Sequence, residues 1–183
     1  MVDEMRDKVV SHDKVACLTA ITLGRRTTMY NTILLSAALQ DWDRYSGHAL
    51  AVRDIGCSLA KGTATPLHVL SVYEYERMSS SGLNPEMMAR HREDIRRRTD
   101  DLMERRMDEY IAPLREQGIA VKKHLHVGNP REIIGQVALS VMADLLIIGS
   151  HSKRGVFDIA LGGTARQVTR RAPCTVVMVS PKQ

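Results

Sequence analysis

Short runs of apolar residues alternate along this chain with longer segments in which apolar residues recur every three or four positions. The runs predict five strands, at residues 31–39, 67–75, 119–128, 144–149 and 174–180. The segments with helical spacing predict four amphipathic helices, at residues 46–61, 85–117, 131–142 and 164–171. Strands and helices therefore alternate from the first strand to the last.

This alternation indicates an α/β fold: a doubly wound, five-stranded parallel sheet with helices on both faces, as in Rossmann-like proteins. Ligands of such sheets bind beyond the carboxyl ends of the strands, where the strand order reverses. The segments after the first and the fourth strands are therefore the expected binding positions. Residues 1–28 show no clear period, so we predict an N-terminal extension there and one domain over residues 29–183.

Composition and cysteine usage limit the class of protein. The 183 residues are 44% hydrophobic and 26% charged, which is typical of a globular domain. No apolar run reaches the roughly 18 residues that a membrane-spanning helix needs, and early acidic residues do not fit a signal peptide. Cys17, Cys57 and Cys174 are scattered without metal-binding spacing, which favours free thiols. We expect a cytoplasmic protein that does not bind a membrane.

The formal net charge of +5 raises the question of nucleic-acid binding. The helix predicted at residues 85–117 contains eight Arg or Lys residues, but they are interspersed with nine Asp or Glu residues. This pattern favours solvated pairs four residues apart, and no Phe, Tyr or Trp lies among the arginines at residues 90–106 for base stacking. We therefore expect no nucleic-acid partner. The excess positive charge lies near residues 25–26 and around residues 153–171.

The segment "GSHSKRGVFDIALGGT", residues 149–164, lies between the fourth strand and the last helix. Its glycines allow backbone N–H groups to approach an anion, and a helix N-terminus favours phosphate. Thr164 followed by Gln167 also fits a capping box, which requires no ligand. A phosphate site and an ordinary turn both remain open on this pattern. His151 is the candidate side chain for contact with phosphate or ribose.

Other candidate chemistry is weaker. His124 and His126 alternate on one predicted strand and face the same way, but no third zinc ligand stands at a diagnostic spacing, so a half-exposed strand face is favoured. No nucleophile–base triad and no GxxxxGK[ST] motif is present. We expect a protein that is not an enzyme, with slow ATP hydrolysis left open.

The stretch "DLLIIGSHSKRGVFDIALGGTARQVTRRAPCTVVMV", residues 144–179, resembles the C-terminal signature of the universal stress protein family. "MYNTILL", "HVLSV" and "HVGNPREII" resemble earlier parts of the family pattern, so the resemblance covers residues 29–181 and places the domain start at Met29. It implies an adenine nucleotide alpha hydrolase-like fold. Some members of the family bind ATP or AMP between the first and fourth strands, and others act through partners.

The resemblance implies a regulatory stress-response protein that binds ATP or AMP, with Mg²⁺ as a companion of the phosphates. The residues it assigns to the nucleotide are Ala37, Ala38, Ile148, Gly149, His151, Ser152, Gly162, Gly163 and Thr164. The sequence departs from the nucleotide-binding members at three of these positions. Ala38 stands where they have Asp, with Asp41 and Asp43 as nearby substitutes. Ser152 stands where they have Gly, and Gly163 where they have Ser or Thr.

These departures sustain a second hypothesis, in which the nucleotide site is empty and function lies in contacts with other proteins. The family resemblance implies a homodimer formed through the last strand, Thr175–Val179. An unidentified protein partner would then bind the dimer or the extension at residues 1–28.

Overall fold

A computed structural model of the protein describes residues 30–40, 44–61, 66–75, 84–150 and 162–181. In these residues the elements follow the predicted order. The strands are β1 (Ile33–Ser36), β2 (Leu67–Tyr73), β3 (Val121–Val127), β4 (Leu145–Gly149) and β5 (Thr175–Val179). The helices are α1 (Gly47–Ala60), α2 (Pro85–Glu116), α3 (Pro130–Ser140) and α4 (Gly163–Arg171).

The five strands form one sheet in the order β3-β2-β1-β4-β5, and every neighbouring pair is parallel. The predicted α/β class is therefore confirmed. β1 is the central strand, and the chain moves outward from it in one direction to β2 and β3 and in the other to β4 and β5. The strand order reverses between β1 and β4, so the carboxyl ends of these two strands border the crevice in which ligands of such sheets bind.

Each face of the sheet has its own hydrophobic core. Ile33 and Leu35 of β1 pack with residues of α1 and α2 on one face, whereas Leu34 packs with residues of α3 and α4 on the other. All three side chains are at most 4% exposed. A strand covered on both faces must be apolar at every position, which explains the continuous apolar run in the sequence. The predicted helices on both faces are confirmed.

The start of β1 is fixed by a residue that precedes β4. The Asp144 carboxylate accepts hydrogen bonds from the backbone N–H groups of Asn31 at 2.6 Å and Thr32 at 3.0 Å. This contact holds the two central strands in register, with Ile33 opposite Leu145 and Ser36 opposite Ile148. β1 is shorter than the predicted strand at residues 31–39, because the hydrogen-bonded ladder covers only Ile33–Ser36.

α2 is longer than the sheet requires. The Asn84 side chain caps the start of this helix, and the helix continues through Pro113 to Glu116. The apolar residues of α2 are buried from Met103 onward, whereas Leu102 is 44% exposed. The first half carries the predicted pairs four residues apart, in which Arg90 contacts Glu86 and Arg97 and Arg98 contact Glu93 and Asp94.

Candidate functional site

The carboxyl ends of β1 and β4 lie side by side and bring four of the predicted site residues together. Ser36 and Ile148 are paired, so Ala37 and Ala38 leave β1 beside the point where Gly149 ends β4. Ala37 is 3% exposed and donates its N–H to the carbonyl of Leu70 in β2. Ala38 and Gly149 are half-buried. This edge of the sheet is lined by small side chains and backbone.

A second set of hydrogen bonds connects the end of β4 to the start of α4. The N–H of Gly162 donates to the carbonyl of Ser150 at 3.0 Å, and the N–H of Ser150 donates to the carbonyl of Val179 at 2.9 Å. The hydroxyls of Ser150 and Ser180 share a hydrogen bond of 2.8 Å. These bonds hold the start of α4 next to Ser150, the residue that directly follows β4.

The N-terminus of α4 differs from those of the other three described helices. Side chains of Ser46, Asn84 and Asn129 cap α1, α2 and α3 by accepting a backbone N–H. α4 has Gly162 at this position and receives no side-chain cap. Its first intrahelical bond within the described residues is donated by Arg166 to Gly162. The N–H groups of residues 163–165 therefore have no partner inside the helix and present a positive dipole end.

This geometry corrects the capping-box alternative. Thr164 is the second residue of α4 and not its N-cap, so its hydroxyl and the Gln167 side chain do not have the positions of a capping box. Thr164 is half-buried and follows Gly163, the first residue of the helix. The Thr164–Gln167 capping box is therefore wrong, whereas the choice between a phosphate site and an ordinary turn stays a prediction.

The structure adds a charged residue that sequence reasoning missed. The Arg131 side chain extends from the first turn of α3 to the first turn of α4, and its Nη2 lies 2.7 Å from the position that a Cβ atom on Gly163 would occupy. Asn129 caps α3 by accepting the N–H of Arg131 at 3.1 Å. The signal in the sequence is indirect: Arg131 follows the Asn-Pro pair that begins α3, and such helix starts lie at the same sheet edge as the other site residues.

Several predicted residues lie outside the described part of the chain. They are His151, Ser152, Lys153, Arg154, Asp41, Asp43, Cys17 and Met29. Their assigned roles, and the domain boundary at Met29, stay predictions. Within the described residues, the ends of β1 and β4 lie together, Gly162 is bonded to Ser150, and Arg131 lies beside Gly163. That these residues form one nucleotide site stays a prediction.

His124 of β3 contacts His68 of β2, and the sequence did not predict this contact. Nδ1 of His68 lies 3.0 Å from Nε2 of His124, and the two rings stack with centroids 5.1 Å apart. Burial is the main cause that lowers the pKa of both side chains, and His126 and Lys122 add to the effect on His124. His124 is half-buried and His126 is exposed, as expected for a half-exposed strand face.

The described residues also contain two cysteines. Cys57 and Cys174 are free thiols, and burial followed by the charge of Asp144 raises the pKa of Cys174. No group of three or more His, Cys, Asp or Glu side chains among the residues with a described placement could hold a metal ion. None of the helices in the described ranges is both long and apolar enough to cross a membrane.

Comparison with known proteins decides the family. A sequence model of the Universal stress protein family matches residues 42–180. The chain belongs to this family. Universal stress protein MJ0577 of Methanocaldococcus jannaschii is 25% identical over 123 residues, which cover 63% of this chain and 75% of that protein. A universal stress protein of Thermus aquaticus is 36% identical over 52 residues, covering 28% of this chain and 38% of the relative.

Solved structures agree with this assignment at the level of the fold. The structure of MJ0577 superimposes with a TM-score of 0.69 at 21% identity and covers 85% of this chain and 99% of its own. Universal stress protein UspA from Lactobacillus plantarum has a TM-score of 0.59 at 21% identity, covering 82% and 98% of the two chains. The universal stress protein fold therefore spans most of the present chain.

Proposed function

We propose that this universal stress protein is a regulatory protein that binds an adenine nucleotide, ATP or AMP, at the edge of the sheet where β1 and β4 end. One observation carries the proposal: α4 is the one described helix without a side-chain cap, and a hydrogen bond fixes its glycine start to Ser150, directly after the carboxyl end of β4. A helix N-terminus with free N–H groups is a favourable place for a phosphate.

The two ends of the nucleotide would meet different surroundings. The half-buried Ala38 at the end of β1 would line the adenine together with the backbone of the buried Ala37. The N–H groups at the start of α4 and the Arg131 guanidinium would hold the phosphates, since charge-assisted hydrogen bonds to phosphate are about twice as strong as neutral ones. With ATP, Mg²⁺ is expected to accompany the ligand, bound through phosphate oxygens and water.

Family membership is consistent with a nucleotide ligand. One universal stress protein has been solved in complex with cAMP. The departures at Ala38 and Gly163 remove groups that the resemblance assigns to the ligand, and Arg131 offers a charged replacement next to Gly163. The proposal is for binding without turnover, and nucleotide binding would report cellular state to a partner protein.

The test compares two glycine variants in titrations with ATP. Gly162→Val places a branched side chain at the start of α4 and is expected to weaken ATP binding at least about tenfold while the far-UV circular dichroism stays unchanged. Gly135→Val is the matched control, because Gly135 lies inside α3 and a Cβ there would meet no atom within 4 Å. ATP affinity that is equal in both variants and in the wild type would contradict the placement of the site.

A homodimer formed through β5 is proposed as the second part of the function. β5 is an edge strand of the described sheet, and Met178 on it is 43% exposed. An edge strand offers unpaired backbone groups to a second copy. Met178→Lys is expected to convert a dimer to a monomer in light-scattering mass measurements, whereas Leu139→Lys, at a 64% exposed leucine on α3, is the control that keeps the mass. An unchanged mass for Met178→Lys would contradict the interface.

A further inference from the structure

A cavity of about 320 Å³ lies along one side of α4. Among the described residues, its wall contains Gly163, Arg166, Gln167, Arg170 and Arg171, all on α4. These residues are spaced by three, one, three and one positions, which places them on a single helix face. We call this surface the arginine face of α4. We propose that the arginine face binds the outer phosphates of a nucleotide, so that the protein binds ATP in preference to AMP.

The charge of the arginine face is not neutralised within the helix. The segment from Gly163 to Arg171 contains three arginines and no acidic residue. Arg166, Arg170 and Arg171 are exposed, and none of them takes part in the ion pairs that join described residues. The arginines of α2 differ, because Arg90 and its neighbours have acidic partners four residues away.

The arginine face begins at the proposed phosphate site. Gly163 belongs to both, because it is the first residue of α4 and part of the cavity wall. Side chains of a helix lean towards its N-terminus. The long side chains of Arg166 and Arg170 therefore lean from their positions, about 4.5 Å and about 10.5 Å further along the helix axis, back towards Gly163. Arg131 contributes a fourth guanidinium at the same end.

The size and chemistry of the cavity favour a short polyphosphate chain over a macromolecule. Its volume is near the lower end of the range of about 300–1,000 Å³ that is usual for small-molecule pockets. A nine-residue helix is only about 13 Å long. Guanidinium groups match phosphate oxygens with paired hydrogen bonds, and α4 carries no aromatic side chain on which a nucleic-acid base could stack.

The inference rests on the proposed nucleotide site for the adenosine end of the ligand, but the arginine face can be tested separately. The test variant is the triple substitution Arg166→Gln, Arg170→Gln and Arg171→Gln. Its matched control is the triple substitution Arg90→Gln, Arg97→Gln and Arg98→Gln on α2, which removes the same charge from exposed positions elsewhere. Circular dichroism establishes that both variants are folded. ATP, AMP and inorganic tripolyphosphate are titrated into each protein by calorimetry.

The wild type and the α2 control are expected to bind ATP at least about tenfold more tightly than AMP. In the arginine-face variant this ratio should fall to about threefold or less, with AMP affinity preserved, and tripolyphosphate binding should be lost. If the arginine-face variant has the same ratio of ATP affinity to AMP affinity as the wild type, the arginine face is not part of the site, although the nucleotide function stands. If tripolyphosphate alone binds and requires the arginines, the polyphosphate site stands and the nucleotide function fails.

Discussion

The Arg131 guanidinium occupies the space that a side chain on Gly163 would need: Nη2 of Arg131 lies 2.7 Å from the position that a Cβ atom on Gly163 would take. The nucleotide-binding members that the sequence resembles have Ser or Thr at this position. Here the absence of a side chain lets a guanidinium from α3 reach the first turn of α4. The loss of a hydroxyl and the presence of a charge are therefore linked, and the charged group is the stronger ligand for a phosphate.

Arg131→Gln is expected to weaken ATP binding about tenfold, because one charge-assisted hydrogen bond to phosphate is worth about 1.5 kcal/mol or more. The free energy of unfolding should change by less than about 0.5 kcal/mol, since the side chain is exposed. Calorimetric titration and urea unfolding measure the two effects. Arg92→Gln, at an exposed arginine of α2, is the control, and equal ATP affinity in both variants would exclude Arg131 from the site.

Gly56→Ala is expected to destabilise the protein by about 1–3 kcal/mol, although alanine is the better helix former. Gly56 lies inside α1, and an added Cβ would stand 2.5 Å from Cδ1 of the fully buried Leu35 in β1. Gly135→Ala in α3 is the control, because a Cβ there meets no atom within 4 Å. It should stabilise the protein by about 0.5–1 kcal/mol. Urea unfolding that ranks the two variants in the opposite order would show that α1 packs differently on β1.

Met142→Gly is expected to stabilise the protein by up to about 1 kcal/mol. Met142 has a φ of 52° and ends α3 in a motif in which its N–H and that of Ala143 bond to Leu139 and Ala138. α2 ends in the same way, with Gly118 at φ 77° in the equivalent position. The Met142 side chain is 83% exposed, so its removal sacrifices little packing.

The reverse substitution at the other helix supplies the comparison for Met142. Gly118→Ala places a Cβ in the left-handed region without meeting any atom, so strain alone should destabilise the protein by about 1 kcal/mol. Thermal unfolding measures both variants. A destabilised Met142→Gly would mean that this exposed methionine contributes packing that outweighs its backbone strain.

The stability of the protein is expected to fall as the pH decreases below about 6.5. Burial lowers the pKa of His68 and His124 from their ordinary value of 6.5. Below that pH the unfolded chain takes up protons that the folded pair resists, so the unfolded state is favoured. Neighbouring positive charge from Lys122 acts on both histidines, and His126 adds to the effect on His124.

His124→Thr removes one member of this pair and should reduce the loss of stability between about pH 7.5 and about pH 5. Urea unfolding at both pH values measures the loss. The control His91→Gln, at an exposed histidine of α2, should lose as much stability between the two pH values as the wild type does. An identical pH dependence in all three proteins would show that the His68–His124 contact does not control the titration.

Local patterns predicted the elements well, because each depends on residues close in the chain. The spacing of apolar residues located all nine elements in the described part of the chain, and the alternation of types indicated the parallel sheet. The register that places the end of β1 beside the end of β4 came from the structure and was not predicted. The ends were less well predicted: β1 is shorter than its apolar run, and Leu102 is 44% exposed although the next residue of α2, Met103, is fully buried.

Contacts between distant elements were not predicted. Thr164 and Gln167 matched a capping box in sequence, but α4 starts at Gly163, where the bond from Gly162 to Ser150 fixes the chain. The approach of Arg131 to Gly163 and the contact of His68 with His124 join residues that are far apart in the chain. No local pattern carries such information, because these contacts depend on how the elements pack.

The central claim is that the small-residue crevice at the ends of β1 and β4, with the uncapped start of α4, binds an adenine nucleotide. The most direct measurement is calorimetric titration of the purified wild type with ATP, AMP and GTP, after acid extraction to remove and identify any nucleotide that was purified with it. The account predicts micromolar, adenine-selective binding. No heat with any of the three and no co-purified nucleotide would contradict it, and the function would then lie with protein partners.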